Sequence, residues 1–179
     1  MINSLNFSHV IIFHSEYTTV DVFVINLMYR CKMAGKCSLV NRLVEMEVDK
    51  KTYDCCVTNV EEPSQLTYGV ILTHGAGGDM NNKQLVSVAE RLAEAGYLVI
   101  RFTCKGLNLG YRTKVFKGIL SNIKDSYPEL KGCFIGGRSM GSRSAVGVCC
   151  DKTMNDFYIG CHLFVLSLAP TKGPCSITG

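Results

Sequence analysis

The chain has 179 residues, 47% hydrophobic and 19% charged, which is one domain's worth of sequence with enough apolar content for a buried core. That balance excludes intrinsic disorder, and the length is short for an elaborate multidomain enzyme. A formal net charge of +4 is too small to imply nucleic acid, and no direct nucleic-acid binding is expected.

The first forty residues carry the weakest pattern. Val10 to Tyr29 is apolar on average, but His14, Glu16, Asp21 and Asn26 interrupt it, which argues against a membrane span. No basic region precedes it, so a signal peptide is not expected either. Val10 to Ile25 has the β-branched and aromatic content of a strand, or of a sticky extension outside any core. Residues 1–41 are left as an unassigned extension.

From Arg42 the pattern sharpens. Leu43, Glu45, Glu47 and Asp49 alternate with Val44, Met46 and Val48, the period of a half-buried strand, and Lys50-Lys51 turns the chain into a second run, Tyr53 to Val60. This predicts an antiparallel edge hairpin. After the loop Glu61-Glu62-Pro63-Ser64 comes Gly69 to His74, a continuous apolar strand suited to the middle of a parallel sheet. His74-Gly75-Ala76-Gly77-Gly78-Asp79 follows at once. Glycines at the end of a buried strand leave backbone N–H groups free to converge on an anion, so the loop reads either as an oxyanion hole or as a tight turn with His74 in a core role. Asp79 or Asn81 can cap the next helix, whose apolar face is Leu85, Val88, Ala89 and Leu92 and which Gly96 stops.

Tyr97 to Phe102 is the next strand, followed by the loop Thr103 to Asn108 and a helix from about Arg112 to Tyr127 with Phe116, Ile119, Leu120 and Ile123 on its apolar face. Arg101, Lys105, Arg112, Lys114 and Lys117 form a local basic excess, read as a solvated surface or as a docking patch for an acidic partner. Then comes Gly132 to Arg143, GCFIGGRSMGSR. A short strand runs into a helix start through Gly-Arg-Ser-Met-Gly, the Gly-x-Ser-x-Gly shape that holds a serine on a strained turn with its hydroxyl out of the sheet. Ser139 is the candidate nucleophile, against the plainer reading of a βα turn whose glycines only permit the bend. The helix from Met140 to about Cys150 is rich in small residues, Ile159 to Ala169 is the last strand, and residues 170–179 form an irregular tail. Strands and helices alternate from Gly69 onward, which requires right-handed crossovers and a mostly parallel sheet with helices on both faces.

The ten cysteines include no Cys-x-x-Cys, and the pairs Cys55-Cys56 and Cys149-Cys150 diverge on any regular element, so neither a disulfide framework nor a metal site is expected. Most lie in apolar segments as small hydrophobes, which points to a reducing, intracellular compartment, cytoplasmic or nuclear. No cofactor is expected: the glycine spacing fits neither a dinucleotide fingerprint nor a P-loop.

A His-Gly loop after one strand and a Gly-x-Ser-x-Gly elbow two βα units later resemble the α/β-hydrolase order. That resemblance implies two oxyanion donors, Ala76 N–H and Met140 N–H, serving Ser139 in cleavage of an ester or other acyl bond. TYGVILTHGAGGDMN, VIRFTCKGLN and GGRSMGSRSA are similar to the testis-expressed protein 30 group, whose relative is the third subunit of the NSL histone acetyltransferase complex. The similarity covers about Val44 to Ala169, and residues 42–169 are taken as a partial α/β-hydrolase-like domain. The resemblance further implies an acid and a histidine after a later strand, but the one histidine after Ser139 is His162, inside an apolar run. Asp151 and Asp156 precede the sixth strand, at the wrong edge of the sheet. The expectation is therefore an incomplete hydrolase fold with little or no turnover in this chain, and a sixth strand left as an exposed edge, giving either marginal stability or a requirement for a protein partner. Two readings of the whole follow. One is a serine hydrolase taking a small acyl or ester substrate, where Arg138 or Arg143 either favours an acidic substrate or is a surface residue. The other is a non-catalytic interaction module, as the chromatin-complex relative implies.

Overall fold

The structure, a computed structural model, describes residues 38–61, 66–151 and 158–161. Within them a six-stranded sheet is ordered β1-β2-β4-β3-β5-β6, where β1 is Leu39–Val48, β2 Lys51–Val60, β3 Gly69–Thr73, β4 Leu98–Phe102, β5 Cys133–Gly137 and β6 Tyr158–Cys161. β3 pairs parallel with β4 and β5, and β5 with β6. The hairpin β1–β2 joins the parallel part through an antiparallel β2–β4 pairing. Three helices connect the parallel strands: α1 Lys83–Glu94, α2 Leu109–Ser126 and α3 Met140–Cys149.

The hairpin begins earlier than its alternation suggests. Leu39 and Val40 pair with Val60 and Asn59, and Ser38 O accepts the Glu61 N–H at 2.9 Å, so β1 starts three residues before Arg42. The turn falls on Asp49-Lys50 rather than Lys50-Lys51. Both residues have positive φ, 50° and 62°, the backbone twist of a two-residue hairpin loop, and Val48 faces Lys51 across it. Met46 and Val48 are buried while Leu43 is 75% exposed, as the alternation predicts.

The helices cover both faces. α1 places Leu85, Ala89 and Leu92 on Val70, Leu72, Val99 and Phe134, whereas α2 and α3 place Phe116, Ile119, Leu120, Ile123, Ala145 and Val148 on the opposite face of β3, β4 and β5. β3, β4 and β5 are buried along their whole length, which explains why they read as unbroken apolar runs. α1 is capped by Asn82, whose side chain accepts from Gln84 N–H, and not by Asp79 or Asn81; Asp79 instead holds Asn81 N–H at 2.8 Å. α2 begins at Leu109, three residues ahead of the expected Arg112, because Asn108 caps it by accepting from Tyr111 N–H at 2.8 Å. The predicted strand in Val10–Ile25, His162, the rest of the predicted sixth strand and the tail lie outside the described residues.

Candidate active site

The site is built where β5 meets α3. Ser139 has φ 51° and ψ −113°, a conformation costing a non-glycine residue on the order of 1–3 kcal/mol. It occupies the N-cap position of α3, where a serine hydroxyl ordinarily accepts a backbone N–H, yet it makes no side-chain cap bond. Its carbonyl accepts the Ser142 hydroxyl at 2.6 Å and Ser142 N–H at 3.0 Å, so the backbone is tethered while the exposed side chain makes no hydrogen bond among the described residues. Small residues make the turn possible. A Cβ on Gly137 would meet Thr73 O at 2.5 Å, and one on Gly141 would meet His74 O at 2.8 Å. The elbow therefore folds directly onto the end of β3, and Arg138 N–H donates to Thr73 O at 3.0 Å.

That contact brings the loop after β3 against the serine. A Cβ on Gly75 would lie 3.3 Å from Ser139 Cβ. Among the described residues nothing accepts from Ala76 N–H or Met140 N–H, and Ala76 through Asp79 are exposed. Gly77 takes φ 68° at the tip of this turn, a conformation glycine adopts without strain. The structure thus brings together the two loops that carry Ser139, Ala76 and Met140.

His74 belongs to the wall of the site. It is 1% exposed; its Nδ1 lies 2.6 Å from Gly75 O and its Nε2 accepts Cys104 N–H at 2.9 Å. With one nitrogen donating to a carbonyl and the other accepting an amide, the ring is the neutral Nδ1-H tautomer with both nitrogens engaged. Burial pushes it below the usual histidine range, reinforced by the Arg112 cation and opposed by the Gly75 hydrogen bond and Asp79. It is a strut between loops and not a proton acceptor for Ser139.

The basic excess reads differently in three dimensions. Arg101 and Arg112 are 4% and 1% exposed, so they are no part of a solvated or docking surface. Lys114 and Lys117 are paired with Asp49 and Asp151. Arg112 donates from Nη1 to Cys104 O at 3.0 Å and Gly106 O at 3.3 Å, and from Nη2 to His74 O. One buried guanidinium thus ties the loop after β4 to the start of the loop after β3. Arg101 does similar work farther back, on Met80 O, Asn41, Cys56 and Thr58. Periodicity could have flagged Arg112: it lies four residues before Phe116, on the buried face of the helix. Among the described residues no group of three His, Cys, Asp or Glu side chains is placed to hold a metal.

Residues 67–174, more than half of the chain, match the family model described as an alpha/beta hydrolase domain. The fold is similar to that of a cold-adapted esterase from an Arctic intertidal metagenomic library, at 18% identity and a TM-score of 0.56 over 67% of this chain. It is also similar to a Pyrococcus furiosus esterase, at 20% identity and a TM-score of 0.54 over 69% of this chain, and to Est1E from Butyrivibrio proteoclasticus, at 18% identity and a TM-score of 0.54 over 60%. The chain spans 59%, 52% and 44% of the lengths of those three proteins.

Proposed function

The chain belongs to the alpha/beta hydrolase domain family, and from that premise we propose that the cleft between the loop after β3 and the start of α3 is an acyl-transfer site for a small ester or related acyl compound. The observation that carries this reading is a strained serine whose hydroxyl makes no cap bond, set against a loop in which Ala76 N–H has no described acceptor. Ser139 Oγ forms the bond to the acyl carbon, the leaving oxygen departs with a proton, and water later releases the acid. Ala76 N–H and Met140 N–H stabilise the intermediate oxyanion, each by roughly 3–4 kcal/mol in sites of this kind.

The proton of Ser139 needs an acceptor, and His74, the one histidine among the described residues, has both nitrogens committed. The described residues thus supply nucleophile and anion cradle without a base. Oxyanion binding alone leaves roughly 10³–10⁴ over water, so slow turnover is part of the proposal. The similarity of three segments to the testis-expressed protein 30 group supports placing the chain nearer to that group than to esterases at large. The most specific of them, Phe102 to Asn108, holds two of the three carbonyls gripped by Arg112.

Cleavage of p-nitrophenyl acetate by the full chain and by Ser139→Ala tests the reading. Weak cleavage that disappears in the variant is expected. Equal rates in both would remove Ser139 from the mechanism, and fast steady turnover would show a base at work.

A further inference from the structure

Arg138 stands apart from the two buried arginines at this end of the sheet, Arg101 and Arg112. The Nε of Arg101, Arg112 and Arg138 alike is buried without a partner, but Arg101 and Arg112 each donate to several acceptors through their terminal nitrogens, whereas among the described residues the Arg138 guanidinium has neither hydrogen-bond acceptor nor acidic partner. Asp79, on the facing loop, uses a carboxylate oxygen on Asn81 N–H and forms no ion pair with it. A buried N–H without an acceptor is unfavourable, and a native structure that keeps one calls for an explanation.

Its position supplies one. A point one bond from Gly75 Cα lies 3.3 Å from Ser139 Cβ and 3.4 Å from Arg138 Nη1, so hydroxymethyl and guanidinium approach the same point beside the oxyanion loop. Burial of Nε fixes the root of the fork. Nη1 and Nη2 are not among the buried unsatisfied atoms, which leaves them open to a bound molecule. Arg143, the other arginine of the motif, is exposed on α3, away from this point by position.

We infer that Arg138 is the specificity element of the cleft, and that its guanidinium selects acyl substrates carrying a second, free carboxylate, such as the half-ester of a short dicarboxylic acid. A planar guanidinium matches a carboxylate through paired N–H donors, and one positive charge neutralises one negative charge. This inference rests on the acyl-transfer reading for its substrate half; the carboxylate site itself stands on Arg138 alone.

Titration of the full chain with monomethyl glutarate and with dimethyl glutarate, followed by calorimetry, tests it without requiring turnover. The monoester is expected to bind roughly ten- to a hundredfold more tightly, the range a charge-assisted pair gives. Arg138→Gln should bring that ratio close to one, Arg138→Lys should keep part of it, and Arg143→Gln should leave it intact; thermal melts of each variant confirm folding. No preference in the unaltered chain, or a preference surviving Arg138→Gln, overturns the inference. If the ratio behaves as expected while Ser139 never becomes acylated, the carboxylate site stands and the acyl-transfer reading falls.

Discussion

Replacing Arg112 by Met tests whether one buried cation joins the two loops of the site. The change preserves much of the side chain's length and apolar stem but removes every donor. His74 O and Cys104 O lie in buried residues, whereas Gly106 is exposed, so two carbonyls lose their partner without access to water and the third rehydrates. Each orphaned buried carbonyl costs about 1–3 kcal/mol, giving roughly 2–6 kcal/mol gross. Removing a guanidinium that has no carboxylate beside it returns part of that, because burying a charge is itself unfavourable. A net loss of about 2–4 kcal/mol is expected, with Arg112→Lys intermediate because an ammonium cannot reach all three carbonyls. Urea unfolding followed by circular dichroism suits a chain without tryptophan. An Arg112→Met variant within about 0.5 kcal/mol of the parent, the scatter of ordinary surface changes, would refute the tethering argument.

Gly141→Ala should destabilise by about 1–3 kcal/mol, the usual range for overpacking, and should abolish Ser139 acylation, because its Cβ would meet His74 O at 2.8 Å and Thr73 O closer still; a stable, fully reactive variant would show that the elbow has room to spare. His74 is held below its ordinary value of 6.5 by burial, so between 6.5 and its folded value the unfolded chain binds more protons. The stability this group contributes is complete above 6.5 and is lost as pH falls through that window. The difference in unfolding free energy between the parent and His74→Gln should therefore shrink on acidification from pH 7.5 to 5.5, and a constant difference would contradict it. Cys55 and Cys133, whose thiols burial pushes up to about 12, should resist iodoacetamide at pH 8 until urea unfolds the chain, whereas exposed Cys150 should react at once; mass spectrometry of the alkylated peptides distinguishes them.

The parallel core was legible because β3, β4 and β5 are buried throughout and so leave unbroken apolar runs between glycine-rich turns. The elbow was legible for a local reason: Gly137 and Gly141 are required by their approach to β3, and a five-residue motif records that requirement. The pairing of β2 with β4 was not, since antiparallel attachment to a parallel sheet leaves no periodic trace. Nor was the role of Arg112. Its charge suggested solvent, and only the carbonyls of His74, Cys104 and Gly106, far apart in sequence, make a buried position tolerable. The cap of α1 was misplaced because Asp79, Asn81 and Asn82 are all capable of capping, and the choice among them is made by how the preceding loop lies against Thr103.

Ser139 as a nucleophile that faces free amide donors, with no base beside it among the described residues, is the central claim. Peptide mapping by mass spectrometry after exposure to p-nitrophenyl acetate, with and without added imidazole, addresses that directly. Slow acetylation at Ser139, accelerated when imidazole supplies the missing proton acceptor, is the predicted result. Acetyl groups confined to lysines, or acetylation of Ser139 that is already fast and indifferent to imidazole, would contradict it.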